Sequence, residues 1–277
     1  VTILVTGATG SVGRLLVDEL VEAGAPVRAL TVNPAKAALP EQVEVAKGYL
    51  GKPETLPEAL EGIETVYLAP LAAKVDDFVK LAKEAGVRRV VALSGSNADD
   101  PAENSSGVDY AIIEKAVKAA GFDWTFLRPG AFMNNTLGWA ETIKAERVVR
   151  EAYPESRMTP IDLADIAAVA AHVILTEGHV GKKHTLSGPT AISQREQVAA
   201  ISAALGEEVV FQELTREEAN KQWAAAGIPA EIAEWLLDGF AYFTENPDKP
   251  TGVVQELTGR PGVTYAEWAV ANVEAFR

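Results

Sequence analysis

Behind the apolar run Thr2-Ile3-Leu4-Val5 stand three evenly spaced glycines, Gly7, Gly10 and Gly13, in the stretch Val-Thr-Gly-Ala-Thr-Gly-Ser-Val-Gly. A strand that ends in such a stretch and is followed by a helical pattern has few architectures open to it. One glycine allows a sharp turn with positive φ. A second lets the main chain approach a pyrophosphate, and a third lets the helix pack close to the strand. Phosphates would then meet the unpaired N–H groups and positive end of the helix that starts near Ser11. The residues expected to form this cradle are Gly7, Thr9, Gly10, Ser11, Val12 and Gly13.

Apolar runs and helical stripes alternate through the first half of the chain. Strands are expected at residues 2–6, 27–31, 43–46, 65–69, 89–94 and 124–127, and helices at 12–23, 53–60, 75–85 and 108–120. Leu15, Leu16, Leu20 and Val21 make one stripe on the first helix, which Gly24 closes. Val90-Val91-Ala92-Leu93 suits a strand covered on both faces. Strands separated by helices imply right-handed crossovers, and so an α/β chain with a doubly wound parallel sheet. A loop rich in Asn, Asp, Pro, Ser and Gly spans residues 95–107.

Beyond residue 130 the alternation loosens. Short strands at 158–162, 184–187 and 209–214, with helices at 164–175, 195–205, 216–226, 230–242 and 265–276, read as a smaller α+β lobe. The expected organisation is a nucleotide-binding domain at 1–150 and a substrate lobe at 151–277, interwoven with it and closing the substrate cleft. In such sheets ligands bind outside the carboxyl ends of the strands. That directs attention to Thr31, Asn33 and Lys36, to Ala69, Pro70 and Leu71, to Ser94, Gly95 and Ser96, and to Pro129, Gly130 and Phe132.

Bulk properties exclude several classes. The 277 residues carry a formal net charge of -14, which argues against a nucleic-acid partner. A dinucleotide held by backbone amides is not affected by that balance. Cysteine is absent, and His172, His179 and His184 are not paired at helical spacing, so no metal site is expected. No apolar run reaches membrane-spanning length, and no basic-then-apolar leader precedes the first strand. The expectation is a cytoplasmic monomer or homodimer that acts on a small molecule without a membrane.

Several segments together resemble a known family. The glycine stretch, Val27-Arg28-Ala29-Leu30, Asn33-Pro34-Ala35-Lys36, Arg89-Val90-Val91-Ala92-Leu93-Ser94 and Asp123-Trp124-Thr125-Phe126-Leu127-Arg128-Pro129-Gly130 are similar to the NmrA-like group of atypical short-chain dehydrogenases/reductases. The likeness is close over residues 2–135 and general beyond. It implies a Rossmann-type fold that binds NAD(P), usually NADP. It also implies either reduction of quinones or other carbonyls, or sensing of the dinucleotide without turnover. Two positions depart from the group. Val32 stands where an arginine commonly follows the second strand, and Gly48-Tyr49-Leu50 replaces the usual Gly-Asp-Leu.

An acid about 20 residues past the glycines would bond a ribose 2′-OH and repel a 2′-phosphate. Strand 2 instead ends Thr31-Val32-Asn33-Pro34, where Thr31, Asn33 and Lys36 can receive a phosphate. NADP is therefore the expected cofactor, with NAD possible. Typical short-chain dehydrogenases use a Tyr and a Lys four residues later on one helix face. Here Tyr110 is followed at that spacing by Glu114, with Lys115 turned about 100° away. Tyr110 is the candidate proton donor. Glu114 is expected to raise its pKa and to accept a hydrogen bond from a ribose or amide.

Phe132 is placed to cover a nicotinamide ring, and Ser96, Asn134, Asn135 and Trp139 to meet the substrate. Trp223, Trp235 and Tyr242 could add apolar walls. The reading is an NAD(P)H-dependent oxidoreductase, with hydride passing from NADPH to a quinone or other activated carbonyl. The alternative is a non-catalytic NAD(P)-sensing regulator, which the broken Tyr–Lys pair favours.

Overall fold

The computed structural model describes residues 1–99 and 106–277. The part of the expected 95–107 loop at residues 100–105 lies outside the described residues. The strands are β1 (Thr2–Val5), β2 (Val27–Thr31), β3 (Glu44–Lys47), β4 (Ile63–Leu68), β5 (Arg89–Leu93), β6 (Asp123–Pro129), β7 (Val148–Glu151), β8 (Arg157–Met158), β9 (Lys182–Leu186), β10 (Ile192–Ser193) and β11 (Val210–Glu213).

By its contacts the chain divides into two compact units. The first holds residues 1–129, 163–186 and 256–259, and the second holds 130–162, 187–255 and 260–277. The sequence reading draws one boundary at 150. The contacts instead group 130–150 with the second unit and 163–186 with the first.

In the first unit seven strands form a single sheet in the order β3-β2-β1-β4-β5-β6-β9, with every neighbouring pair parallel. This is the expected doubly wound sheet, extended by one strand. The order reverses between β1 and β4, and the open ends of those two strands make the crevice where such sheets take ligands. Val90, Val91 and Ala92 of β5 are wholly buried, as a strand covered on both faces should be. The core beneath includes Leu4, Leu60, Val66, Phe78, Val90 and Phe126.

Helix Ser11–Glu22 lays Leu16, Val17 and Leu20 inward. It packs on helix Leu163–Leu175, whose Ala167 and Ala170 are fully buried and small enough to allow close approach. The sheet's two edges are polar: β3 reads Glu-Val-Ala-Lys and β9 Lys-Lys-His-Thr-Leu. Lysines on an exposed edge discourage pairing with another chain.

The second unit contains two two-stranded sheets, β10 with β8 and β11 with β7. Its core gathers Met133, Ile143, Val149, Ile201, Trp268 and Phe276. Three of its helices begin with a capping box, at Ser193 with Glu196, Thr215 with Glu218 and Thr264 with Glu267. Each box satisfies two otherwise unpaired groups reciprocally. Among the described residues no helix is long and apolar enough to cross a membrane.

Candidate functional site

The glycine stretch turns tightly between β1 and helix Ser11–Glu22. Gly7 has φ +61, a conformation L side chains rarely adopt, and a Cβ there would lie 3.0 Å from the Ala69 side chain. At Gly13 a Cβ would stand 2.2 Å from the Gly7 carbonyl oxygen, so the helix can approach the loop only without a side chain. The Gly10 N–H donates to the Gly7 carbonyl at 2.9 Å and closes the turn. Gly10 then starts the helix in extended conformation with no side-chain cap among the described residues.

Gly7, Thr9, Gly10 and Ser11 are exposed, whereas Val12 and Gly13 are buried and hold the helix down. The first helical turn contains no acid. A helix N-terminus with exposed backbone, glycines on its approach and no capping carboxylate fits a pyrophosphate. Val12 supports the cradle through packing, and its main chain alone can face a ligand.

Thr6, which the sequence reading passed over, fastens this loop to β4. Its hydroxyl donates to the Tyr67 carbonyl at 2.9 Å and accepts from the Ala69 N–H at 2.8 Å. That bond places Ala69 beside Gly7, with Pro70 exposed and Leu71 half-buried next along the chain. After β2 the chain makes a short 3-10 turn, Pro34–Lys36, and Asn33 and Lys36 are exposed there. Thr31 is buried and its hydroxyl accepts from the Asn33 N–H at 3.3 Å, so it shapes this turn from within. Arg28 points to the end of the helix Pro57–Leu60, donating to the carbonyls of Ala59 at 3.0 Å and Glu61 at 2.7 Å.

The ends of β5 and β6 continue to pair beyond the strands. Ser94 N–H donates to Leu127 O at 2.7 Å, and Ser96 N–H to Pro129 O at 3.0 Å. The Tyr110 ring lies against Gly95, where a Cβ would come within 2.3 Å of it. Tyr110 is thus at the right edge of the sheet, half-buried. Its pKa is raised, chiefly by burial and further by Asp109, while a hydrogen bond with Ser106 opposes the rise. The expected influence of Glu114 is not the cause.

Glu114 has another role. Ser94 Oγ donates to its Oε1 at 2.8 Å, and Arg128 Nε donates to the same oxygen at 2.7 Å. Oε2 receives Arg128 Nη2 at 2.8 Å and Lys118 Nζ at 3.3 Å. Each oxygen is doubly engaged, which leaves no acceptor for the ribose or amide expected from the sequence. Burial pushes the carboxyl up, but the bonds from Arg128 and Ser94 outweigh it and hold the pKa below the usual value. Arg128 also grips Asp99 with two nitrogens, and Lys183 Nζ reaches Asp99 at 2.7 Å. One ionic network therefore joins the loop after β5, helix Ser106–Ala119, β6 and β9. Its signal in the sequence is Arg128 itself, a cation in the otherwise apolar run Phe126-Leu127-Arg128-Pro129.

In the second unit Gly130 and Phe132 follow β6, and Phe132 bridges to Ile161 before the 3-10 segment Met133–Trp139. Asn134 is half-buried with its Oδ1 unpartnered among the described residues, and Asn135 is exposed. Trp139 Nε1 donates to Glu151 Oε1 at 3.2 Å. Glu151 is buried, and burial pushes its pKa up to about 7 against hydrogen bonds from Trp139 and Trp223. Of the other aromatics, Trp223 packs against Phe240, Trp235 is partly buried, and Tyr242 is 59% exposed with its ring against Phe243.

Residues 7–177 match the NAD(P)H-binding family. The chain is 37% identical to (4-alkanoyl-5-oxo-2,5-dihydrofuran-3-yl)methyl phosphate reductase of Streptomyces griseus, with 99% of each chain covered. It is 36% identical to the NAD(P)H azoreductase of Xenophilus azovorans, again over 99% of each. Among solved structures, the NADPH-dependent quinone oxidoreductase of Escherichia coli in complex with NADPH superposes with a TM-score of 0.85 at 28% identity, covering 97% of this chain and 99% of that one. Glycine cradle, strand order and relatives agree with the resemblance read from the sequence, and the chain belongs to the NAD(P)H-binding family.

Proposed function

We propose that this chain is an NADPH-dependent reductase of quinones or similarly conjugated acceptors. The observation that carries the reading is the cradle at Gly7, Gly10 and Gly13, in which added side chains would strike Ala69 and the Gly7 carbonyl. Full-length similarity to an azoreductase and a furanone phosphate reductase supports reduction as the chemistry. The bound NADPH in the superposed quinone oxidoreductase supports the choice of dinucleotide.

When bound, NADPH supplies a hydride from its nicotinamide ring. The main-chain amides of residues 11–13 would hold the pyrophosphate, that of Gly10 being spent on the Gly7 carbonyl, and the helix dipole favours its charge. Gly95 and Tyr110 stand together just past the end of β5, with the Ser94 hydroxyl turned to Glu114. No lysine shares the helix face of Tyr110 at the four-residue spacing, so the phenol keeps a raised pKa and is a weak acid. A conjugated acceptor spreads the arriving negative charge and needs little help from an acid. That favours quinones and related π-systems over simple ketones.

The test is consumption of NADPH by the purified chain with a panel of quinones, enones and azo dyes. Turnover with quinones supports the reading. Tight NADPH binding without turnover of any acceptor would replace it with the sensor.

A further inference from the structure

The cofactor reading leaves open which residue of this chain recognises the 2′-phosphate, because the exposed position at the end of β2 is Val32. The observations converge on Arg14, one residue past the last glycine. Its guanidinium leaves helix Ser11–Glu22 and crosses to the turn after β2. There Nη1 donates to the carbonyls of Ala38 at 2.7 Å and Ala37 at 3.3 Å. Ala38 has φ +48, a strained conformation for alanine, and its carbonyl accepts the shorter of the two bonds. Asp18, one helical turn on, touches Nε at 3.4 Å. Among the described residues Nη2 has no hydrogen-bond partner, and the side chain is 37% exposed.

β2 is the neighbour of β1 in the sheet, so its end lies beside the loop that leads into the helix of Arg14. In a sheet of this kind the end of β2 is where the adenosine ribose is read, by an acid for a free 2′-OH or by an arginine for a 2′-phosphate. No acid occurs from Thr31 to Pro40, and Lys36 is exposed on the same turn. Guanidinium presents a planar fork suited to phosphate oxygens. Here it is fixed by backbone carbonyls, so little freedom is lost on binding.

We propose that Arg14 recognises the 2′-phosphate and sets this chain's preference for NADPH over NADH, with Lys36 adding charge. The inference rests on the cofactor reading above. It places the discriminating cation on the helix instead of at the end of β2.

Direct titration of the full chain with NADPH and with NADH, followed by tryptophan fluorescence or calorimetry, tests it without any turnover. Arg14→Met is expected to weaken NADPH about 10- to 100-fold, the range for losing a charge-assisted hydrogen bond, with NADH within about 2-fold. Arg14→Lys should recover part of the loss. Val32→Asp, at an exposed position, is an independent variant that should also weaken NADPH selectively by setting at the end of β2 a carboxylate that repels a 2′-phosphate. An NADPH-to-NADH ratio unchanged in Arg14→Met overturns the proposal, and equal weakening of both would make Arg14 a brace for the turn only. If the unaltered chain binds neither dinucleotide, the cofactor reading falls and this proposal with it.

Discussion

Arg128 holds Glu114 at both carboxylate oxygens, Nε to Oε1 at 2.7 Å and Nη2 to Oε2 at 2.8 Å. Both side chains are almost wholly buried, and Ser94 adds a third donor. Glu114 occupies the place where a Tyr–Lys enzyme keeps its lysine, yet here the residue locks strands and helix together. Restoring the lysine should therefore harm the protein. Breaking a buried ion pair costs about 3–5 kcal/mol, and Glu114→Lys adds a like charge against Arg128. We expect Glu114→Lys and Arg128→Met each to lose at least about 3 kcal/mol in urea unfolding. A stable Glu114→Lys protein with enhanced turnover would contradict this account.

The two glycines nearest the Gly7 carbonyl should differ in tolerance. A Cβ at Gly13 would stand 2.2 Å from that oxygen, whereas one at Gly10 would stand 3.2 Å away. Neither clash involves a flexible side chain, so only backbone movement can relieve it. Gly13→Ala is expected to lose about 1–3 kcal/mol of stability and most NADPH affinity, with Gly10→Ala milder on both. Urea unfolding and NADPH titration of the two variants check the order, and equal tolerance would count against the tight turn.

Much of this was legible in the sequence. Glycine spacing and the alternation of strands and helices fix β1, β2 and β4 to β6, whose apolar runs are largely buried, and place β3 between β2 and the next helix although Glu44 and Lys47 leave it an exposed edge. The seventh strand was legible as a strand but not as a neighbour of β6. Lys182-Lys183-His184 has the polar character of a sheet edge, and nothing local reveals that Thr125 pairs with Lys182. The Met133–Trp139 segment and the helix Ala140–Glu146 were not anticipated, since Asn134, Asn135 and Gly138 interrupt any apolar period. The ionic network joins residues from separate elements, and such partners leave no spacing signal. By its spacing from Tyr110 alone, Glu114 reads as a ligand contact, whereas its partners are Arg128, Ser94 and Lys118.

The chain's three histidines, unpaired by spacing, meet in the fold. His179 Nδ1 is 3.2 Å from His184 Nε2, and the His172 and His179 rings are 5.5 Å apart. Burial, then the neighbouring His184 and His172, with Lys182 and Arg89 beyond, push the His179 pKa down. Burial and Lys182 do the same to His184, against Glu256. The unfolded chain then binds protons that the folded one refuses. The stability contributed is complete above about pH 6.5 and is lost as pH falls below it. The histidine contribution should show as a difference, the urea midpoint of the unaltered chain falling relative to that of His179→Gln between about pH 7.5 and about pH 5.5. A difference that stays constant over that range would contradict the assignment.

Glu151 should act in the opposite sense. Its folded pKa, about 7, lies above the ordinary carboxyl value of 4.5, so the folded state keeps a proton that the unfolded state releases. Stability should decline as pH rises from about 4.5 to about 7, by a few kcal/mol at most at about 1.4 kcal/mol per pH unit. Glu151→Gln keeps the shape and removes the charge. It should be the more stable protein at about pH 8, as read by thermal melting. A less stable variant at that pH would show that the carboxylate is favoured where it sits.

Reduction by NADPH is tested most directly in a single turnover. The chain, loaded with one equivalent of NADPH, is mixed with a simple quinone while the near-ultraviolet absorbance of the reduced nicotinamide is followed. The account predicts loss of that absorbance far faster than in an equal mixture without protein, slowed when the transferred hydrogen is deuterium. NADPH that binds and then persists beside every quinone tried would contradict reduction and make the chain a dinucleotide sensor.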